Sequence, residues 1–289
     1  MQAWWLAARP KTLLAGLAPV LVGTAVAHAH GGIRPMPAAA AALGSILIQV
    51  GTNLANDYFD HKKGADTEER VGPDRAVQQG WISPPAMLAA TVVVLLAALA
   101  VGVYLIGIGG APIAAIGVAS LICAIAYTGG PWPLAYVGLG DVFVFVFFGL
   151  AAVVGTTWVQ TLTAPPAAWI GGAAMGSLAT AILVVNNLRD RVTDAVANKR
   201  TLAVRFGANA ARMEHQLTIV GPFALVTLAA VIGWTPVWSA ALVWLALPLA
   251  VREIRAVRQK DGPELNPHLA GAARLELVFG LLFGLGCFL

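Results

Sequence analysis

The chain has 289 residues, of which 58% are hydrophobic and only 11% charged, against about 25% charged residues in an ordinary soluble domain. This composition excludes a soluble globular protein and leaves no polar stretch long enough for a separate soluble domain, so residues 1–289 are expected to form one transmembrane domain. The net charge of +4 does not point to a nucleic-acid partner, because in a membrane protein the placement of cations says more than their sum.

The N-terminal segment carries Arg9 and Lys11 ahead of an apolar run that continues to His30 without a small-residue cleavage site. It is read as a retained first helix rather than a signal peptide. Helices are predicted at roughly 12–30, 37–59, 84–106, 110–127, 137–160, 166–187, 215–233, 236–251 and 268–288, each near the length that crosses about 30 Å of hydrocarbon. The expected fold is an all-α integral membrane bundle of about nine helices. The 31 glycines suit close helix packing in lipid, and Cys123 and Cys287, both in apolar segments, read as small core residues. Lys62, Lys63, Arg75, Arg189, Lys199, Arg200 and the arginines of 252–258 fall on the side of the N-terminus, against Arg34 alone on the other. Positive charge marks the cytoplasmic side, so the N-terminus is expected inside, the C-terminus outside, and the protein in the cell (inner) membrane.

Two polar clusters interrupt this pattern. The second helix runs into NLANDYFDHKKGADTEERVGPDR, Asn53 to Arg75, and the sixth into NNLRDRVTDAVANKR, Asn186 to Arg200. Four helices separate them, so both return to the cytoplasmic face. Intramembrane carboxylates are costly and mark function, and here they sit at helix C-termini, where the macrodipole repels them. Asn53, Asn56, Asp57 and Asp60 are spaced i, i+3, i+4 and i+7, which puts them on one helix face. Asn186, Asp190 and Asp194, spaced i, i+4 and i+8, are expected to form a second ladder, with Asn187 beside it.

Carboxylate oxygens are hard ligands of the kind Mg²⁺ takes, with substrate phosphate completing the shell. Two facing ladders would hold Mg²⁺ against a diphosphate, and Lys62, Lys63, Arg75, Lys199 and Arg200 would offset the remaining charge. The looser charges Glu68, Glu69, Arg205 and Arg212 are instead read as ordinary solvated, topology-setting loop charges. A secondary transporter with two acidic helix ends is a second reading of the pattern, although transporter sites lie near the midplane and these clusters lie at one surface. Elsewhere, Asp141 opens the fifth helix, as a site acid or as an acid favoured by the helix dipole. Arg274 and Glu276, two apart, cannot share a face and are each expected to find a partner on another helix.

NDYFD followed by Asp66, together with NNLRDRVTD, resembles the paired aspartate-rich motifs of the UbiA superfamily of intramembrane aromatic prenyltransferases. ARPKTL at 8–13, GPDRAVQQG at 72–80, YTGGPWPLAYVGLGDVFVFVFFG at 127–149, KRTLAVRFG at 199–207 and LNPHLAGAARL at 265–275 are similar to the members that prenylate 1,4-dihydroxy-2-naphthoate in menaquinone synthesis. The resemblance implies a bundle around a central cavity that opens laterally to lipid. It carries Asn56, Asp57 and Asp60 over as first-motif residues and Asp190 and Asp194 as second-motif residues, with Mg²⁺ bridging them to a prenyl diphosphate. It also implies phosphate contacts from Arg75 and Lys199, and Tyr127 near the reacting centre. The family spaces its third aspartate four residues after the second; here that position is Gly64, and Asp66 takes the metal-ligand place with that displacement. The implied reaction is Mg²⁺-dependent polyprenyl transfer with loss of diphosphate and CO₂, with 4-hydroxybenzoate, homogentisate and haem as alternative acceptors.

Overall fold

A computed structural model describes residues 2–64 and 71–289, and the statements below concern those residues. It is helical throughout, without strands among the described residues. A short helix α1 (Gln2–Ala8) exposes Trp4 and Trp5 and precedes α2 (Pro10–Ala29). The spans α3 (Pro35–Lys62) and α4 (Pro84–Ala126) follow. Next come α5 (Gly140–Phe145) and α6 (Ala152–Thr161), joined through a π-helical turn, Val146–Ala151. After α7 (Pro166–Arg189) and the short α8 (Arg191–Val196), the chain continues as α9 (Leu202–Val231), α10 (Val237–Val243), α11 (Leu247–Gln259) and α12 (Asn266–Phe288).

Eight helical stretches are long and apolar enough to cross a membrane. One of them, α4, has 43 residues, which at 1.5 Å per residue is about twice the hydrocarbon thickness. It breaks at Gly110 (φ 65°, ψ −150°), two residues before Pro112, in a backbone region that only glycine enters readily. Counting its halves separately gives the nine crossings expected.

Three elements depart from the sequence reading. Helix α1 was not expected. Helix α9 starts at Leu202, capped by the Thr201 hydroxyl, which accepts from the Val204 amide at 3.3 Å, and breaks at Gly207 (φ 84°, ψ 175°) before continuing to Val231; Arg205, Arg212 and Glu214 interrupt the apolar run ahead of the expected start. Helix α11 extends to Gln259 as an amphipathic rod with Arg252, Arg255 and Arg258 exposed while Glu253 and Val257 are buried. The partner expected for Glu276 is also absent among the described residues: it is fully buried and neither carboxyl oxygen is hydrogen-bonded, while Arg274 lies on the exposed side of α12.

Helix α7 is the most enclosed span and α4 the least. The main core joins α2, α7, α9 and α12 through Val22, Met175, Leu178, Phe223, Phe279 and Phe283. This core fixes α7, whose C-terminal end carries the second polar cluster. Helix α7 is held equally closely on its other side, where glycines let two backbones touch. A Cβ on Gly176 would overlap the carbonyl oxygen of Phe145, and one on Gly149 the carbonyl oxygen of Gly172. Gly176→Val is therefore expected to destabilise the detergent-solubilised protein by about 1–3 kcal/mol through overpacking, read as a lowered thermal midpoint. Gly221→Ala, at an exposed site on α9 where a Cβ meets nothing, is the control; an unchanged midpoint in the Gly176 variant would contradict the crossing.

Candidate active site

Helix α3 does not stop where its apolar run ends. It continues to Lys62, so Asn53, Asn56, Asp57 and Asp60 form one buried row, as their spacing predicts. Each has a distinct partner. Asn53 donates to the Ala8 carbonyl at 3.0 Å and to the Thr12 hydroxyl at 3.3 Å, tying α3 to the elbow between α1 and α2. At that elbow Arg9 adopts a left-handed conformation (φ 54°), uncommon for a non-glycine residue. The Asn56 side-chain amide oxygen accepts from the Thr128 hydroxyl at 2.8 Å. Asp57 accepts the backbone amides of Ala76 and Val77, at 3.0 and 3.2 Å, and so folds the 71–83 loop against α3. The same loop delivers Arg75, whose Nη2 pairs with Asp60 at 2.9 Å; the other Asp60 oxygen accepts from the Tyr136 hydroxyl at 3.0 Å.

The second cluster is built differently from the ladder expected. Helix α7 ends at Arg189, Asp190 turns the chain (φ −89°, ψ 5°), and Asp194 lies on the separate α8. The three residues are thus not on one continuous helix. The Asp194 amide still donates to the Asp190 carbonyl at 2.7 Å, so the turn stays tight and both carboxylates remain buried. Asp190 receives a bidentate contact from Arg189, at 2.7 Å from Nε and 2.6 Å from Nη2. Asp194 pairs with Lys199 through Oδ1 at 3.5 Å, while its Oδ2 is buried without a hydrogen-bond partner among the described residues. Asn186 accepts from Arg189 at 2.8 Å, and Asn187 is buried beside it.

Tyr136 joins the two clusters. Its hydroxyl bonds to Asp60, its carbonyl accepts the Arg200 amide at 2.9 Å, and its ring lies 4.6 Å from the Lys63 ammonium and 5.9 Å from that of Lys199. Lys63 also donates to the Thr128 carbonyl at 2.6 Å. The Lys62 ammonium sits on the exposed side, 6.0 Å from the Tyr58 ring, and the Arg200 side chain is exposed. Asp66 lies outside the described residues, so its expected metal-ligand place has no structural description.

Below this charged layer lies an apolar cavity of about 220 Å³, between α2, α3, α4 and the α5–α6 span. Phe143, Phe147 and Phe148 line one wall, and the exposed Leu99 and Val118 mark its lipid side. Tyr127 stands on the boundary between cavity and charged layer. Burial and the carboxylates of Asp141, Asp60 and Asp194 raise its phenol pKa, with Arg9 opposing, so the hydroxyl stays protonated. Gly140 makes room for it: a Cβ there would sit 3.1 Å from the Tyr127 oxygen. Asp141, next along α5, is buried with Oδ1 unpartnered among the described residues.

Tyr136, Thr128 and Arg189 were not singled out from sequence. Arg189 carried a signal, since it lies three residues after Asn186 and next to Asp190, but a cation at a helix end is more often read as a topology signal. Among the described residues no three His, Cys, Asp or Glu side chains are gathered for one ion; the carboxylates are instead engaged by Arg75, Tyr136, Arg189 and Lys199. The donor chemistry nevertheless fits a hard divalent cation, and the unpartnered Asp194 oxygen is an available ligand atom.

A model of the UbiA prenyltransferase family matches residues 16–271. The chain belongs to that family. It is 39% identical to a 1,4-dihydroxy-2-naphthoate octaprenyltransferase of Haemophilus influenzae, over 99% of this chain and 96% of the relative. The enzyme of that name from Escherichia coli is 38% identical over 100% and 96%, and that of Mycobacterium tuberculosis 39% over 96% and 94%. Among solved structures, a UbiA homologue from Aeropyrum pernix superposes with a TM-score of 0.73 at 13% identity, covering 97% of this chain and 98% of that one. A UbiA homologue from Archaeoglobus fulgidus bound to GPP and Mg²⁺ superposes with a TM-score of 0.68 at 16% identity, covering 99% and 100%. The superpositions show a shared fold, and by family and relatives the chain is a multi-pass membrane prenyltransferase.

Burial pushes the Asp194 carboxyl up to about 6, with Lys199 opposing and Asp190 adding to the rise. A carboxyl must lose its proton to bind a cation. A divalent ion that took Asp194 as a ligand would therefore bind up to about tenfold more weakly for each pH unit below about 6. The sign for folding is opposite, because a carboxyl with a raised folded-state pKa weakens the ion-free fold as pH rises from about 4 through 6. Calorimetric titration with Mn²⁺ between pH 5 and 7 checks the binding trend; Asp194→Asn should flatten it, and a flat wild-type profile would contradict the assignment.

Proposed function

We propose that this chain transfers a polyprenyl group from a prenyl diphosphate to 1,4-dihydroxy-2-naphthoate, releasing diphosphate and CO₂ and forming demethylmenaquinol, the reduced form of demethylmenaquinone. The observation that carries the reading is the meeting of the two aspartate clusters around Tyr136 and Tyr127 at the mouth of an apolar cavity. It is supported by full-length similarity to enzymes named for this acceptor. Residues 1–289 act as one domain, with the charged layer on the cytoplasmic side of the inner membrane where the basic loops lie.

When bound, Mg²⁺ supplies electrostatic stabilisation of the departing diphosphate. Asp60, Asp190 and Asp194 are the residues proposed to hold it, with Asp66 the further acid of the first motif. Asp57 supports them by fixing the 71–83 loop through the Ala76 and Val77 amides. Arg75, Lys63 and Lys199 face the same layer and place fixed positive charge where negative charge develops as the allylic C–O bond breaks. Asn56, Asn186 and Asn187 border the diphosphate, and Lys62 and Arg200 contribute from the rim. Asn53 holds the elbow that presents Arg9.

The prenyl tail takes the apolar cavity, where water is scarce and the allylic cation is not quenched. The Tyr127 hydroxyl, kept protonated, donates to the diphosphate. Asp141 orients a ring hydroxyl of the acceptor. The ring carbon bearing the carboxylate bonds to the allylic carbon; its C–CO₂⁻ bond then breaks, and that electron pair returns to the ring.

Purified protein given 1,4-dihydroxy-2-naphthoate, farnesyl diphosphate and Mg²⁺ is expected to release diphosphate and CO₂ in equal amounts, and neither without Mg²⁺. Diphosphate without CO₂ would move the acceptor to another aromatic compound. Asp60→Ala and Asp190→Ala are expected to lower kcat/KM at least about 10²-fold, the scale of losing one preorganised electrostatic contact, with helix content retained. Wild-type turnover in either variant would contradict the shared site.

A further inference from the structure

Adjacent residues on a helix point in different directions, so a side-chain pair between i and i+1 does not form within one. Arg189 and Asp190 nevertheless make a bidentate contact, because the helix ends between them and the chain turns at Asp190. The guanidinium is almost fully buried, at 1% side-chain exposure, and its remaining donors are also used. Nη2 reaches the Asn186 side-chain oxygen, and Nη1 donates to the Asn266 side-chain amide oxygen at 3.1 Å. Asn266, the first residue of α12, then donates from its Nδ2 to the Val71 carbonyl at 3.3 Å. Val71 belongs to the same 71–83 segment, which Asp57 holds at Ala76 and Val77 and which carries Arg75 to Asp60.

From these contacts we infer that Arg189 and Asn266 form a positioning bridge between the two aspartate clusters. Arg189 fixes the rotamer of Asp190, and Asn266 couples that carboxylate to the loop bearing Arg75. A carboxylate has about four lone-pair sites, so the bidentate contact orients Asp190 and still leaves lone pairs for a ligand, as partners behind a metal-binding carboxylate commonly do. Neither residue touches the substrate in this scheme. The consequence for catalysis rests on the proposed diphosphate site; the mechanical coupling does not.

Two substitutions at Asn266 separate the parts of the bridge. Asn266→Ala removes both contacts, whereas Asn266→Asp keeps an acceptor for Arg189 and loses the donor to Val71. Hydrogen exchange on the substrate-free protein is expected to show amides of 71–83 exchanging about fivefold faster in both variants, the scale of one lost hydrogen bond, with the thermal midpoint unchanged. Mn²⁺ affinity should weaken about fivefold in Asn266→Ala and stay within twofold in Asn266→Asp. KM for the prenyl diphosphate should rise about fivefold in Asn266→Ala with kcat within twofold. Unchanged loop exchange in both variants, or a parallel loss of kcat and thermal midpoint, would overturn the bridge. If wild-type protein fails to prenylate the naphthoate, the functional reading falls while the exchange result still decides the coupling.

Discussion

The polar end of this bundle depends on how three buried carboxylates obtain countercharge. Asp60 and Asp190 lie at helix C-termini, where the macrodipole opposes them, and Asp194 lies on the short α8 that follows; each of the three is answered by a cation, Arg75, Arg189 and Lys199 respectively. These pairings organise the chain around them. Arg75 can reach Asp60 because Asp57 folds its loop down; Arg189 can reach Asp190 because α7 ends between them; Lys199 can reach Asp194 because α8 is short and the chain turns back. Removing one partner from a buried pair leaves an uncompensated charge, which is costly, so the carboxylates constrain the local backbone as well as marking the site.

The rest of the fold supplies what this layer needs. Packing on both sides of α7, through the large side chains of α2, α9 and α12 and through glycine contacts with α5 and the π-helical turn after it, fixes the helix that ends in the second cluster. The break in α4 at Gly110 turns one overlong helix into two crossings, and both halves line the cavity. A charged layer therefore sits over an apolar cavity with a protonated tyrosine between them, matching a substrate with an anionic head and an apolar tail.

Much of this was legible in the sequence because the bilayer imposes strict rules. Span lengths, the break near Gly110 and the face shared by Asn53, Asn56, Asp57 and Asp60 follow from helical periodicity and hydrocarbon thickness. The second cluster was less legible: i, i+4, i+8 spacing describes a ladder only if the helix is continuous, and nothing in NNLRDRVTD marks the turn at Asp190. Tyr136 was hidden because its role is relational, bridging segments far apart in sequence. Arg189 resembled an ordinary topology charge. The early start of α9 was missed because its short first turn is cut off by the break at Gly207 and the residues after it carry Arg212 and Glu214, and Glu276, expected to be paired, is buried with neither carboxyl oxygen hydrogen-bonded among the described residues.

The most direct test of the account is the position of a divalent ion. A crystal grown with Mn²⁺ and a non-reactive thio-analogue of a prenyl diphosphate would locate the metal by its anomalous scattering. The account predicts density bound jointly by Asp60 and by Asp190 or Asp194, with the analogue's phosphates on Arg75 and Lys199 and its tail in the cavity below Tyr127. Density held by one cluster alone, or an analogue lying away from the cavity mouth, would contradict a single site built from both motifs.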